Sequence, residues 1–331
     1  MATLVTGASG FVGLNLVELL LRLDTAPVVA LSLDPIPAIA RKVFAALPGR
    51  LNMVLGDLND PGLLRRVMSQ YEVERVFHGA ALTAAGERER NQPARVIDVN
   101  LKGTLVALEA FRLSAAKRFV FASSSSVYGE AFYGAQPVDE STPAAPQSLY
   151  GITKYAAERL CLRYKTLYDR DIVCGRVAAV FGPWERDTGL RDTLSPPFQL
   201  AGLAVHGGAA VIAEGGARDW VYSRDVAAAF ASLLFARDCQ AEVYNIGSGA
   251  MWHLGQLCDK LKRRFPNFKF RISANAETTL AYNADLSRPR QPMDAARVVK
   301  EFRLPFHGVD DALDDYVAWV AGHAAYFDAP R

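Results

Sequence analysis

The stretch that decides the fold of this chain is Thr6-Gly7-Ala8-Ser9-Gly10-Phe11-Val12-Gly13. It follows a short apolar run at residues 2–5 and opens a segment of helical period at residues 11–23. The three glycines permit a tight turn and let backbone N–H groups approach a pyrophosphate, which the helix N-terminus then faces. This context predicts dinucleotide binding, and the alternative is a tight strand-to-helix turn without a ligand. The predicted contacts are Gly7, Ser9, Gly10, Phe11, Val12 and Gly13.

Strand-like and helical segments alternate along the first 182 residues. Short apolar runs at residues 28–31, 53–55, 75–77, 118–121 and 172–174 are separated by stretches of helical period. Such alternation is typical of βαβ units around a buried parallel sheet, whose crossovers are right-handed. The sequence therefore predicts an α/β protein with a doubly wound parallel sheet.

The alternation stops near residue 182, and residues 183–210 are rich in glycine, proline and polar residues. We expect a dinucleotide-binding domain at residues 1–182. We expect residues 183–331 to form a smaller α/β domain that mainly binds substrate, with part of residues 211–250 returning to the sheet.

The composition excludes several classes of protein. Of 331 residues, 37 are Lys or Arg and 35 are Asp or Glu, which gives a net charge of +2, and half are hydrophobic. A net charge near zero gives no electrostatic reason to expect nucleic acid or an anionic membrane as a partner. The apolar content argues against disorder. The histidines and cysteines lack the spacing of metal ligands, so no metal site is expected.

The cysteines, the lengths of the apolar runs and the N-terminal sequence indicate the cellular compartment of the protein. Cys161, Cys174, Cys239 and Cys258 lie far apart and are expected to be reduced thiols. No apolar run reaches the roughly 18 residues that cross a bilayer. The N-terminus runs straight into the glycine turn without the basic region of a signal peptide. We therefore expect a cytoplasmic protein.

The second and third strands end in polar residues that could bind the adenosine half of a dinucleotide. An acid normally ends the second strand and binds the ribose diol. Here either Ser32 takes that place or Asp34 does, so NAD is expected and NADP is left open. Asp57 and Leu58 end the third strand, where an adenine could lie, although Asp57 is also a typical turn residue.

A tyrosine and a lysine lie four residues apart, on one face of a predicted helix, in Tyr150-Gly151-Ile152-Thr153-Lys154. A neighbouring ammonium favours the phenolate form, so such a tyrosine can take a hydroxyl proton while hydride leaves the same carbon. Alone the pattern also fits a surface helix. The preceding strand ends in four serines, residues 123–126, at the edge where ligands bind in such sheets.

Together, TGxxGxxG, FASSSSVYG, a turn with Pro143 and Pro146, and YGITKYAAE resemble the extended short-chain dehydrogenase/reductase family. The resemblance is nearest to its sugar-nucleotide epimerase/dehydratase branch and is strongest over residues 1–182. It implies a Rossmann fold and a Ser-Tyr-Lys triad of Ser124, Tyr150 and Lys154.

The resemblance assigns a role to each of these residues. Ser124 would hold the reacting oxygen, Tyr150 would be the acid/base, and Lys154 would bind the nicotinamide ribose. The further cofactor contacts that it implies are Ala80, Ala81, Asn100 and Pro183.

The residues after Ser124 bear on the reaction. Dehydratases of this branch carry an Asp-Glu pair there and decarboxylases a Glu, whereas this chain has Ser125 and Ser126, which are poor general acids. The chemistry expected is hydride transfer with tyrosine-mediated proton transfer. This fits a sugar-nucleotide 4-epimerase, or a dehydrogenase of a free sugar, sugar acid or other small hydroxy compound. A non-catalytic dinucleotide sensor is disfavoured because the whole triad is present.

The substrate residues are predicted from a mixture of agreements and departures. Arg218 matches the arginine that binds the diphosphate in this branch, and a bidentate guanidinium suits that role. Ala179 stands where a diphosphate-binding Asn or Thr is usual. The usual Arg-x-Gly-Asp is replaced by residues 287–290, in which Arg288 or Arg290 could substitute. The predicted substrate contacts are Ser124, Ser125, Arg186, Arg191, Arg218 and Arg288.

Two predicted helices, at residues 93–113 and 150–168, are apolar on more than one face. Such faces suit a four-helix interface between two copies of a chain. We therefore expect a homodimer.

Overall fold

The computed structural model describes residues 1–275, 277–281, 288 and 290–328. The strands are β1 Ala2–Thr6, β2 Val28–Ser32, β3 Leu51–Leu55, β4 Val73–His78, β5 Arg118–Ser124, β6 Asp171–Val177, β7 Ala179–Phe181, β8 Ala209–Ala213, β9 Trp220–Tyr222, β10 Val243–Ile246 and β11 Lys269–Ser273. The α-helices are α1 Phe11–Leu23, α2 Ala38–Phe44, α3 Pro61–Gln70, α4 Gly86–Asn91, α5 Pro93–Ile97, α6 Gly103–Arg112, α7 Leu149–Tyr168, α8 Pro196–Val205, α9 Ser223–Phe235, α10 Leu254–Arg264, α11 Ala296–Phe302 and α12 Val309–Gly322.

Seven strands form one parallel sheet in the order β3-β2-β1-β4-β5-β6-β10. This confirms the predicted doubly wound sheet. The order reverses between β1 and β4, because β2 and β3 extend to one side of β1 while β4, β5 and β6 extend to the other. Ligands of such sheets bind at this switch point, beyond the carboxyl ends of the strands.

Helices cover both faces of the sheet. α1 and α9 pack together on one face, where the rings of Phe77 and Phe230 meet edge to face with centroids 4.8 Å apart. α3, α6 and α7 cover the other face, over a core that includes Phe111 and Phe119. With both faces of the sheet covered, β1 and β2 are buried along their whole length and are largely apolar.

The second half of the chain contributes to the sheet and also builds elements outside it. β10 pairs with β6 at the sheet edge, while β8 pairs with β11 and β7 with β9 in two small parallel sheets. Trp184 is fully buried and meets Trp319 edge to face at 5.2 Å between ring centroids. Among the described helices, none combines the length and the apolarity that a membrane crossing requires.

A buried ion pair joins α7 to the sheet. Glu158 is fully buried and receives two hydrogen bonds from Arg176, at 2.6 and 3.0 Å, and one from Ser123 at 2.8 Å. Arg176 also donates to the hydroxyl of Tyr128 at 2.8 Å. Since a buried carboxylate is costly without partners, this network defines how α7 sits on β5 and β6.

We expect Arg176→Met to lower the free energy of unfolding by about 3–5 kcal/mol, because Glu158 is left buried without its cation. The double variant Glu158→Leu/Arg176→Met should recover at least half of that loss. Urea unfolding at pH 7 measures both. The control is Arg271→Met, which breaks an ion pair that is 57% exposed on each side and should cost less than about 1 kcal/mol. If Arg176→Met is as stable as the wild type, the buried ion pair does not contribute to stability in this way.

Candidate active site

A cavity of about 600 Å³ runs along the carboxyl edge of the sheet, across the switch point. It is lined by the turns after β1 to β6, by the start of α7 and by the loop that follows β7. The predicted site residues that line it are Gly7, Ser9, Gly10, Phe11, Val12, Gly13, Ser32, Asp34, Asp57, Leu58, Ala80, Ala81, Ser124, Ser125, Tyr150, Lys154, Arg186 and Arg191.

The glycine turn is shaped by close backbone approaches. Gly7 has φ of +69°, and a Cβ there would lie 2.8 Å from the backbone of Ala80. A Cβ on Gly13 would lie 2.2 Å from the carbonyl oxygen of Gly7. Only glycine fits at both positions. The backbone of the turn and the N-terminus of the 13-residue α1 therefore face the cavity. Such an arrangement suits the pyrophosphate of a dinucleotide.

The adenosine end of the cavity contains both residues that the sequence left open. Ser32 is nearly buried and donates to the carbonyl oxygen of Asp34 at 2.8 Å, while Asp34 is exposed and also lines the cavity. The carboxylate of Asp34 is therefore accessible to ribose hydroxyls. Asp57 accepts the backbone N–H of Asn59 at 2.8 Å, so it forms a turn as well as lining the cavity.

The phenol of Tyr150 lies between two hydroxyls. Tyr150 is in the first turn of α7, which begins after Ser148 caps the N–H of Gly151 at 3.1 Å. The hydroxyls of Ser124 and Thr83 line the same cavity wall as its phenol. Burial raises the pKa of Tyr150, and these two hydroxyls and the nearby charge of Arg191 oppose that rise.

Lys154 lies one helical turn beyond Tyr150 and is 3% exposed. Its Nζ is 4.4 Å from the centroid of the Phe121 ring, a cation–π contact. Burial lowers the pKa of Lys154 to about 8. The ammonium therefore sits in the cavity wall in an unfavourable environment, next to the proposed acid/base.

Asn100 does not line the cavity, although the resemblance implied a cofactor contact. Its amide oxygen accepts the N–H of Leu82 at 2.8 Å, and its amide nitrogen donates to the carbonyl of Leu82 at 3.0 Å. The same nitrogen donates to the hydroxyl of Thr153 at 3.1 Å. Asn100 is thus committed to joining the loop after β4 to α7, the helix that carries Tyr150.

Pro183 and Arg288 also lie outside the cavity lining. The carbonyl of Pro183 accepts a hydrogen bond from Asn15 at 2.8 Å, which ties it to the buried side of α1. Arg288 pairs with Glu130 at 2.9 Å and lies over the ring of Tyr133.

Arg218 lines a second cavity of about 250 Å³ that adjoins the first. Thr83, Ala179, Arg191 and Arg290 line both cavities. Arg290, which the sequence offered as a substitute phosphate ligand beside Arg288, is therefore the better placed of the two.

Thr83 and Glu185 are site residues that the sequence reasoning missed. Glu185 is 1% exposed, accepts the N–H of Ser195 at 2.7 Å and pairs with Arg191 at 2.8 Å, so it orients that arginine. The sequence did contain a signal for Thr83. It lies just after β4, and Ser124 ends the neighbouring parallel strand β5, so both residues lie at the carboxyl edge of the sheet, where ligands bind.

Comparisons with known proteins agree with this geometry. Residues 3–247 match the model of the NAD-dependent epimerase/dehydratase family. UDP-glucose 4-epimerase 4 of Oryza sativa subsp. japonica is 31% identical in an alignment 270 positions long that covers 74% of this chain and 72% of that protein. MoeE5, solved with UDP-glucuronic acid and NAD, is 28% identical with a TM-score of 0.75, over 96% of this chain and 98% of the other. The UDP-glucose 4-epimerase of Thermus thermophilus, solved with NAD, is 25% identical with a TM-score of 0.79, over 98% of this chain and all of the other.

We expect Lys154→Met to remove activity and yet raise the free energy of unfolding by about 1–3 kcal/mol at pH 7. A lysine whose pKa falls from 10.5 unfolded to about 8 folded costs stability wherever it is charged in both states. That cost is complete below pH 8 and disappears as the pH rises to 10.5.

Urea unfolding at pH 7 and at pH 10 measures this effect. The stability gain of Lys154→Met should shrink at pH 10, while the exposed control Lys102→Met should behave like the wild type at both. A gain that is equal at both pH values would show that burial of the ammonium is not its cause.

Proposed function

Because the chain belongs to the NAD-dependent epimerase/dehydratase family, we propose that it epimerises a sugar nucleotide at C4 by reversible hydride transfer. Membership confirms the resemblance drawn from the sequence, and with it an NAD-dependent enzyme of the extended short-chain type. The observation that carries the proposal is that Tyr150, Ser124 and Lys154 line one cavity that extends to the glycine turn.

NAD, when bound, supplies the acceptor and later the donor of the hydride. The glycine turn would hold its pyrophosphate, Asp34 its adenosine ribose and Lys154 its nicotinamide ribose. The oxygen of Tyr150 takes the proton from the substrate hydroxyl as that carbon is oxidised, and returns it after the ketone has presented its other face. Ser124 donates a hydrogen bond to the reacting oxygen and keeps it beside Tyr150.

Epimerisation is favoured over dehydration by the residues that follow Ser124. Elimination of water needs a further acid and base near the sugar, whereas Ser125 and Ser126 are hydroxyls. The hydroxyl of Ser126 donates to the hydroxyl of Ser124 at 3.0 Å, so its proton is already used in a hydrogen bond within the protein.

The cations around the two cavities support a substrate with a diphosphate. Arg191 and Arg290 lie where the cavities meet, Arg186 lines the first and Arg218 the second. Planar guanidinium groups bind phosphate oxygens in pairs. We infer that residues 183–331 supply most of the substrate contacts, and residues 1–182 most of those to NAD.

The thiols support a cytoplasmic location. Cys161 in α7 and Cys174 in β6 are both buried free thiols of one core cluster. Two neighbouring thiols stay reduced in a compartment held reducing by glutathione and thioredoxin.

The function is tested by incubating the protein with UDP-glucose and NAD and following the UDP-galactose formed. We expect interconversion without net accumulation of reduced cofactor. Tyr150→Phe should lower kcat by about 10²–10⁴-fold, since a general acid/base is lost, while Tyr168→Phe, at the exposed end of the same helix, should leave it unchanged. Stoichiometric NADH would instead identify a dehydrogenase.

We further propose a homodimer formed through the helices that cover the α7 face. Ile97 in α5, Leu105 in α6 and Ile152 in α7 expose 42%, 38% and 47% of their surfaces. Apolar side chains on adjacent helices are typical of a self-complementary interface.

Light scattering at micromolar concentration should give twice the mass of one chain, 36.1 kDa. We expect Ile152→Glu to shift the protein towards monomer, because a charge enters an apolar interface. Leu23→Glu, in the equally exposed end of α1 on the opposite face, is the control and should remain dimeric. A wild-type monomer would refute the assembly.

A further inference from the structure

Thr83 lies at the point where the two cavities meet. It is half-buried, in the loop that follows β4, and its neighbours Leu82 and Ala84 are buried at 0% and 4% exposure. In an extended segment successive side chains point to opposite sides. Burial of both neighbours therefore turns the side chain of Thr83 towards the cavity.

The backbone around Thr83 is held on both sides. The backbone N–H of Leu82 donates to the side-chain amide of Asn100, and its carbonyl accepts a hydrogen bond from the same amide. The N–H of Thr83 donates to the carbonyl of Leu190 at 2.9 Å, and the N–H of Asp192 donates to the carbonyl of Thr83 at 3.3 Å. These bonds pair Thr83 with Arg191 like neighbouring strands. The hydroxyl of Thr83 therefore has a defined direction.

That direction turns the hydroxyl into the cavity that the phenol of Tyr150 also lines, and the hydroxyls of Thr83 and Ser124 both lower the pKa of that phenol. We propose that Thr83 is a catalytic residue, whose hydroxyl donates to the phenol oxygen of Tyr150 and stabilises the phenolate that accepts the substrate's proton, while Ser124 donates to the reacting oxygen of the substrate. In the step, the substrate O–H breaks and the Tyr150 O–H forms, while Thr83 and Ser124 each keep their own proton. The proposal rests on the acid/base role given to Tyr150 above.

The pairing with the loop after β7 adds a consequence. Arg191 in that loop lines both cavities, and Asp192 beside it is bound by Arg88 at 2.5 Å. Because Thr83 is bonded to Leu190 and Asp192, the segment that presents the Thr83 hydroxyl is joined directly to the loop that carries Arg191.

The test compares Thr83→Val, which removes the hydroxyl at constant shape, with Thr83→Ser, which retains it. Thr166→Val, at an exposed position of α7, is the matched control. Each protein is labelled with ζ-¹³C tyrosine and saturated with NAD⁺, and the Tyr150 signal is identified by its loss in Tyr150→Phe. Its titration with pH needs no substrate, so it remains informative if no UDP-sugar is converted.

We expect the Tyr150 titration curve of Thr83→Val to move to higher pH by about one unit, because a phenolate loses one donor. Thr83→Ser and Thr166→Val should overlay the wild type. A Thr83→Val curve that overlays the wild type would overturn the proposal.

Kinetics supply the second measurement. With UDP-glucose, Thr83→Val should lower kcat about tenfold or more with little change in KM, and the pH profile of kcat should move upward with the titration. Thr83→Ser should restore most of kcat. A raised KM with unchanged kcat and an unmoved pH profile would make Thr83 a substrate-binding residue, and would contradict the proposal.

Discussion

The side-chain amide of Asn100 is the interaction on which the site depends. Asn100 lies in the wide π turn Asp98–Lys102 between α5 and α6, where an irregular helix turn is often functional. Its three hydrogen bonds fasten Leu82, after β4, to Thr153 in α7. Thr153 in turn donates to the carbonyl of Tyr150 at 2.9 Å. One buried amide thereby relates the edge of the sheet to the helix that carries the acid/base.

A chain of buried hydrogen bonds runs from the backbone carbonyl of Asn100 to the residue before the glycine turn. Thr104 donates to the carbonyl of Asn100 at 2.7 Å, so the Nε2–H of His78 must donate to the Thr104 hydroxyl, and Nδ1 accepts from Thr6. Burial lowers the pKa of His78 to about 3, which keeps its ring neutral at physiological pH. A neutral ring adds no second buried cation beside Lys154. The ammonium of Lys154 is thus buried without a charged imidazole beside it.

The sequence predicted the sheet, the glycine turn and the pair of Tyr150 and Lys154 because each depends on residues close together in the chain. The spacing of Tyr150 and Lys154 places both on one helix face wherever that helix lies. Sheet geometry pointed to the serines at residues 123–126, and the family resemblance singled out Ser124 among them. Pro183 and Arg288 lie outside the cavity lining. The resemblance implied Pro183, whose carbonyl accepts from Asn15, and Arg288 was predicted as a substitute for a motif that this chain lacks and pairs with Glu130.

The sequence by itself determined the fold class and predicted the glycine turn and the pairing of Tyr150 with Lys154, since these follow from periodicity and spacing within single elements. Only the tertiary structure decided which loop residues join them. Thr83 and Glu185 lie in irregular segments, whose side-chain directions follow from contacts with distant backbone rather than from any local period. Their roles arise where the loops after β4 and β7 pair with each other, and a pairing between two irregular segments leaves no repeating pattern in the sequence to read.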